Sequence, residues 1–261
     1  MTTENDEHER RSRLDKERKR RNKGVAVFLR DIAVIVVAAL LISFLIKTFL
    51  VRSFFIPSGS MESTLLVNDR IIVNQLEPRF FAISHGDVVV FKDPDGWLPS
   101  QPRVSQGPLL DGIETVLSFI GLAPAPDSDE HLIKRVIGLP GDTVECCDEQ
   151  GRLIVNGEPI DEPYLKNPDA GASPQVGSIP GEFSVTVPED SIWVMGDNRE
   201  NSADSRAHLG EAGGGFVPID DVVGRAILIT FPFDRFGWLD NYPETFAAVP
   251  RSESSDAAAV R

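Results

Sequence analysis

The chain has 261 residues, with 26 Lys/Arg against 40 Asp/Glu, a formal net charge of −14, and only two cysteines. The acid excess argues against a nucleic-acid partner. The lack of any CxxC pair argues against a zinc or thiol-redox site. The charge is also unevenly placed: residues 1–31 carry ten Lys/Arg and seven Asp/Glu, a net of +3, so the remainder carries −17.

In chain order, the first element is an apolar run from Ile32 to Val51 whose only charge is Lys47. At about 1.5 Å per residue it covers roughly 30 Å, the thickness of a bilayer's hydrocarbon core. A cleaved signal peptide would show a shorter apolar region and a small-x-small site. Here the run leads into Lys47, Phe49 and Phe54-Phe55, which favours an uncleaved single span. The basic cluster Arg18-Lys19-Arg20-Arg21-Asn22-Lys23 predicts a cytoplasmic N-terminus. The expected localisation is therefore the cytoplasmic membrane as a single-pass type II protein, with the acidic body outside. The expected divisions are a tail at 1–31, the span at 32–51, an outer domain at 52–250 and a disordered tail at 251–261.

The outer segment is long enough for one hydrophobic core. Its apolar runs are short and β-rich: Arg70–Asn74, Asp87–Phe91, Ile133–Ile137, Thr143–Cys146, Leu153–Val155, Phe183–Val187, Ile192–Met195 and Val222–Thr230. Asn156-Gly157 stands between two of them and predicts a two-residue hairpin. The fold class expected is mainly β, an antiparallel domain behind one transmembrane helix. Residues 94–129, rich in Pro, Gly and Ser, read as an insertion. Within it Leu109, Leu110, Ile113, Val116, Leu117 and Ile120 fall at helical spacing, either packed on the core or lying on the membrane. Arg79-Phe80-Phe81 is a second surface contact or a strand-end cluster. The adjacent Cys146 and Cys147 would face opposite ways in a strand, so they are expected to pair between chains or stay reduced.

Three lysines follow the span: Lys92, Lys134 and Lys166. Lys92 ends a strand and Lys166 lies in a Pro-bounded loop. Lys134 alone is mid-strand, sharing a face with Leu132 and Val136. Burial between apolar neighbours would lower its pKa and leave a neutral amine able to act as a base. An edge strand would instead leave it in solvent. Of the outer histidines, His85, His131 and His208, none carries the sequence signature of a Ser-His-Asp triad. Gly-x-Ser-x-Gly is absent too.

Four segments in order then carry a family likeness: Pro57-Ser58-Gly59-Ser60-Met61, Gly86-Asp87-Val88-Val89-Val90-Phe91, Lys134 to Asp142, and Met195 to Arg206. Placed behind an apolar run, they resemble the type I signal peptidases, membrane-bound serine–lysine proteases, over about residues 30 to 235. The resemblance implies two antiparallel sheets, the larger carrying the site. It implies Ser60 as nucleophile and Lys134 as general base. Ser58 and the Ser60 N–H would form the oxyanion hole. Ser202 would orient the lysine amine, and Asp204 and Arg206 would pair beneath it. Phe54, Ile56, Met61, Leu65 and Ile133 match substrate-pocket walls that admit small side chains at −1 and −3 of the cut. No metal or organic cofactor is needed for such chemistry. The implied partners are signal-peptide-bearing preproteins, membrane lipid and the protein export channel. One departure is Ser63, where many members have proline. The alternative function is a membrane-anchored β module that binds partners without cutting them; the DNA-binding self-cleaving repressors fit neither the span nor the acidic body.

Overall fold

The structure, a computed structural model, describes residues 28–44, 50–94, 96–98, 131–167 and 182–250. The chain divides into two units, Met1–Phe49 and Leu50–Arg261. In the first, residues 28–44 are helical, and apolar side chains from Phe28 to Phe44 are exposed around the helix. Among the described residues, no helix is long and apolar enough to cross a membrane. The far bound of the expected apolar helix needs correction. The chain is already helical at residue 28, and Val51 is the first residue of a strand. Pairing opposite Asn74 draws Val51 out of any helix. Residues 45–49 and 99–130 lie outside the described residues, and with them most of the insertion, including the apolar pattern at 109–120.

The second unit contains twelve strands among its described residues. They are β1 (Val51–Phe55), β2 (Arg70–Asn74), β3 (Val88–Lys92), β4 (His131–Gly138), β5 (Thr143–Cys146) and β6 (Leu153–Val155). Then come β7 (Glu158–Pro159), β8 (Phe183–Thr186), β9 (Ser191–Met195), β10 (Val217–Pro218), β11 (Val222–Phe231) and β12 (Gly237–Trp238). The larger sheet runs β1-β2-β11-β3-β4-β9-β10, with β12 also on β11; the smaller runs β7-β6-β5-β8. All of these pairings are antiparallel. The mainly β, two-sheet expectation is met. β1, β10 and β12 carry no strand prediction: β1 reads as the end of the apolar run, and the other two are two-residue strands. Asn156 and Gly157 both have positive φ, 52° and 84°, as the hairpin between β6 and β7 requires.

The middle of the larger sheet, β3, β4 and β9, is buried on both faces, which explains why β3 reads Val-Val-Val-Phe without alternation. Val88 and Val90 join one apolar cluster, with Phe54, Ile71, Val73 and Ile133. Val89 and Phe91 join the other, with Leu132, Val136, Ile192 and Val194. The smaller sheet packs Val144, Leu153, Val155 and Phe183 around Trp193. β5 ends at Cys146, so the strand's alternation stops there; Cys146 and Cys147 are bonded to each other, a correction to the expectation that they pair between chains or stay reduced. Gly86 has φ +79°, and a Cβ there would fall 1.8 Å from the Asn241 carbonyl oxygen. Gly86→Ala is therefore expected to lower the melting temperature by several degrees in a thermal scan.

Candidate active site

The segment after β1 forms a closed turn. The Ile56 N–H donates to Asp69 O and the Asn68 N–H to Ile56 O, both at 2.9 Å. Inside it, Met61 O accepts from the N–H groups of Thr64 and Leu65, at 3.1 and 2.8 Å. Met61 and Leu65, fully buried in the β1–β2 cluster, root this turn in the core. That anchoring fixes Ser60 between them and Gly59. Ser63 takes φ 101°, which a proline ring cannot adopt, so the departure from the family pattern fits the local backbone.

Lys134 sits in the middle of β4, which is flanked by β3 and β9 and buried beyond its first residue. The solvent-facing alternative is excluded: Lys134 is 4% exposed and Ser60 6%. The Lys134 Nζ donates to Ser60 Oγ at 2.8 Å and to Ile133 O at 3.0 Å. Burial of the amine lowers its pKa from 10.5 to about 8, against the upward pull of the Asp204 and Asp197 carboxylates. Ser58 Oγ stands 3.5 Å from Ser60 Oγ on the exposed side of the turn. The sequence-predicted Ser58, Ser60 and Lys134 are thus brought together.

Asp204 and Arg206 form the expected ion pair, two parallel contacts of 2.8 and 2.9 Å between fully buried side chains. Burial would raise the Asp204 carboxyl; the Arg206 guanidinium overrides this and holds it below the usual carboxylate value. The same carboxylate accepts the Gly196 N–H at 3.0 Å. Gly196 leaves no room for a side chain: a Cβ there would lie 2.5 Å from Ser60 O and 2.3 Å from Ser202 Oγ. Ser202 departs from expectation. Its buried hydroxyl meets no partner at hydrogen-bond geometry among the described residues. The bond expected from Ser202 to the lysine amine is therefore absent; Lys134 bonds Ser60 and its own strand's Ile133 carbonyl instead.

Phe54, Ile56, Met61, Leu65 and Ile133 all fall in one buried cluster, so the predicted wall residues are gathered beside the Ser60 turn. A surface cleft of about 500 Å³, lined by Ile160, Glu162, Leu165 and Glu244 among others, contains none of them.

Several site residues carry no role in the sequence reading. Arg135, next to Lys134, is fully buried and bidentate to Asp197, at 2.9 and 2.7 Å. It also donates to Gly86 O and Asp240 O, and to the Thr64 hydroxyl in the Ser60 turn. Its guanidinium lies 4.1 Å from the Tyr164 ring centre and 5.3 Å from that of Tyr242. Arg199 pairs with Glu162 in a second buried contact, and Lys166 pairs with Glu62 two residues after Ser60. The signal for Arg135 is present in the sequence: an arginine inside a strand apolar on both sides needs a carboxylate, and Asp197 opens the polar loop. Of the histidines, His85 is held by Asp142 at 2.6 Å, while His208 stacks on Trp97 and meets Glu211. His131 lies against Phe54.

Comparison with known proteins gives the family. The family described as "Signal peptidase, peptidase S26" matches residues 29–231. "Signal peptidase I" of Mycobacterium tuberculosis is 42% identical over 222 residues, 80% of this chain and 74% of its own. "Probable signal peptidase I" of Mycobacterium leprae is 39% identical over 230 residues, 79% of this chain and 78% of its own. A crystal structure of a signal peptidase I from Enterococcus faecalis covers 55% of this chain and 96% of its own at 26% identity, with a TM-score of 0.32, too low to bear on the fold. With the family matched over most of its length and two relatives near 40% identity, this chain belongs to the signal peptidases of the peptidase S26 family.

Proposed function

We propose that Ser60 is the nucleophile and Lys134 the general base with which this chain removes signal peptides from preproteins. The activity itself, that of a type I signal peptidase, follows from family membership. The observation that carries the residue assignment is the 2.8 Å contact between Lys134 Nζ and Ser60 Oγ, in surroundings that favour a neutral amine.

Neutral Lys134 takes the Ser60 proton as Oγ adds to the scissile carbonyl carbon. The oxygen of that carbonyl becomes negative within reach of the Ser60 N–H and the Ser58 hydroxyl. Collapse breaks the C–N bond, and the lysine ammonium gives its proton to the departing amine. Lys134 then takes a proton from water, the hydroxide displaces Ser60 from the acyl group, and Ser60 recovers its proton. The direct test is labelling with an acylating inhibitor and mapping the adduct. A label on Ser60 that is lost in Lys134→Ala supports the assignment. A protein that cuts preproteins but is labelled elsewhere sinks it.

Phe54, Ile56, Met61, Leu65 and Ile133 supply apolar walls for small side chains at −1 and −3. Replacing Ala by Leu at −1 of the substrate is expected to lower kcat/KM by about 100-fold or more, measured on matched peptides.

Attachment to the cytoplasmic membrane, N-terminus inside, is supported by the basic tail and by the apolar side chains exposed around the helix at 28–44. The β unit offers its own lipid contact. Phe231, Phe233, Phe236 and Trp238 are exposed where β11 turns into β12. Arg235 in that turn pairs with Asp69 and donates to Thr64 O, tying the aromatic edge to the Ser60 turn beside exposed Leu66 and Val67. Phe80 and Phe81 are exposed as well, which favours the surface-contact reading of that pair. Phe233→Ser with Trp238→Ser is expected to weaken flotation of residues 50–261 with liposomes several-fold. Unchanged flotation removes this edge from the membrane contact.

A further inference from the structure

A carbonyl on the far side of the Ser60 peptide indicates how the oxyanion hole is aimed. The Gly59–Ser60 bond is absent from the chain's cis peptides, so its C=O and N–H point in opposite directions. The Gly59 carbonyl is held by the Asn198 Nδ2 at 2.9 Å and by the Glu62 N–H at 3.2 Å. The backbone N–H of Asn198 donates to the next carbonyl, Ser60 O, at 3.1 Å. Asn198 therefore grips two successive carbonyls of the nucleophile turn from one side. The Ser60 N–H is left on the other side, and no described residue accepts it.

The grip is itself braced. Asn198 is buried. Its Nδ2 also donates to Glu62 Oε2 at 3.3 Å, so both contacts of that atom are to acceptors, and chemistry fixes which end of the amide is nitrogen. Glu62 is in turn paired with Lys166, whose own N–H donates to Asp197 O, next to Asn198. The Glu62 carboxylate also lies over Gly59, where a Cβ would meet its Oε1 at 2.7 Å. The lysine counters a negative charge that would otherwise oppose an oxyanion on the same turn.

We infer that Asn198 is a positioning residue of the oxyanion hole: by holding the Gly59 carbonyl it aims the Ser60 N–H at the oxygen that becomes negative during acyl transfer. This rests on the reading of Ser60 as the nucleophile. Asn198 touches neither the substrate nor the reacting atoms, and it acts by preventing rotation of one peptide plane. An aspartate at this position keeps the volume and the backbone contact to Ser60 O. It loses the donor to Gly59 O and sets a second carboxylate against Glu62.

The test uses the full-length protein in detergent, comparing wild type, Asn198→Asp, Asn198→Ala and Ser60→Ala. Three quantities are read: kcat and KM on a preprotein, affinity for a peptide aldehyde that adds to a serine hydroxyl, and affinity for the released signal peptide. Both Asn198 variants are expected to lose about 100-fold in kcat with KM within about threefold. Aldehyde affinity should fall by a similar factor, because the aldehyde's adduct carries the oxyanion, while affinity for the released peptide stays put. Asn198→Ala adds no charge, so agreement between the two variants separates donor loss from repulsion. Folded variants that keep aldehyde affinity, or lose aldehyde and peptide affinity alike, overturn the inference. Failure of both variants to fold assigns Asn198 to stability and overturns it as well. Cutting by Ser60→Ala would instead remove the underlying reading of the nucleophile.

Discussion

Ser60→Ala and Lys134→Ala are each expected to abolish cleavage of a preprotein with Ala at −1 and −3, while wild type is expected to cut it at a rate that follows the charge on Lys134. With burial lowering the amine's pKa to about 8, activity is expected to rise about tenfold per pH unit below that value and to level above it. The measurement is a pH profile of kcat/KM on one substrate. A profile flat from pH 6 to 9, or cutting by folded Lys134→Ala, would falsify the assignment of the base. Stability carries the same signature with a definite sign. Between about pH 8 and 10.5 the unfolded chain holds a proton on this lysine that the folded protein has lost, so stability increases across that window. Below it the full cost of burying the lysine is present. Lys134→Met, which fills the same space without an amine, should therefore raise the melting temperature at pH 6, by at most roughly 3 kcal/mol in free energy, and less as pH approaches 10. An inactive but more stable variant identifies a residue kept for chemistry at the expense of the fold.

Breaking the Arg135–Asp197 pair has the largest expected effect on folding. Both side chains are fully buried, and the guanidinium connects β4, the Ser60 turn at Thr64, the loop at Asp197 and the carbonyls of Gly86 and Asp240. Removing one partner strands a charge in the interior, at a cost of about 3–5 kcal/mol, on the order of 10 °C in melting temperature for a unit this size. Arg135→Met and Asp197→Asn should each show that loss. The double replacement Arg135→Met with Asp197→Leu should recover part of it, because no unpaired charge remains. A single replacement costing less than about 1 kcal/mol in denaturant titration would remove the pair from any role in holding the site together. Arg135→Met should also lower kcat, since the strand bearing Lys134 is tied to the Ser60 turn through this side chain.

The parts of this molecule legible in its sequence are those governed by short-range pattern. β2, β5 and β6 have the predicted bounds because alternation and turn residues set them locally. Asn156-Gly157 gives its hairpin because few residue pairs accept positive φ in succession. Ser58, Ser60 and Lys134 are legible as well, through ordered motifs rather than through physics. The sequence alone left the exposure of Lys134 open, since Leu132 and Val136 fit an edge strand as well as a central one.

What required the tertiary structure depends on partners far apart in the chain. β1 is a strand only because β2 lies beside it. Arg135 is tolerable only because Asp197 comes from a loop 62 residues away to meet it. Asn198 matters only because folding sets it against Gly59, across 139 residues. Ser202 shows the converse: its motif position predicts a bond to the lysine, and the packed geometry does not form one. The sequence by itself determined the kind of protein, a β-rich domain behind an apolar run that carries the signal peptidase motifs, because periodicity, charge placement and motif are local properties. Only the tertiary structure decided that the lysine is buried against the serine and which buried groups hold the pair. Desolvation and long-range pairing are properties of the packed whole.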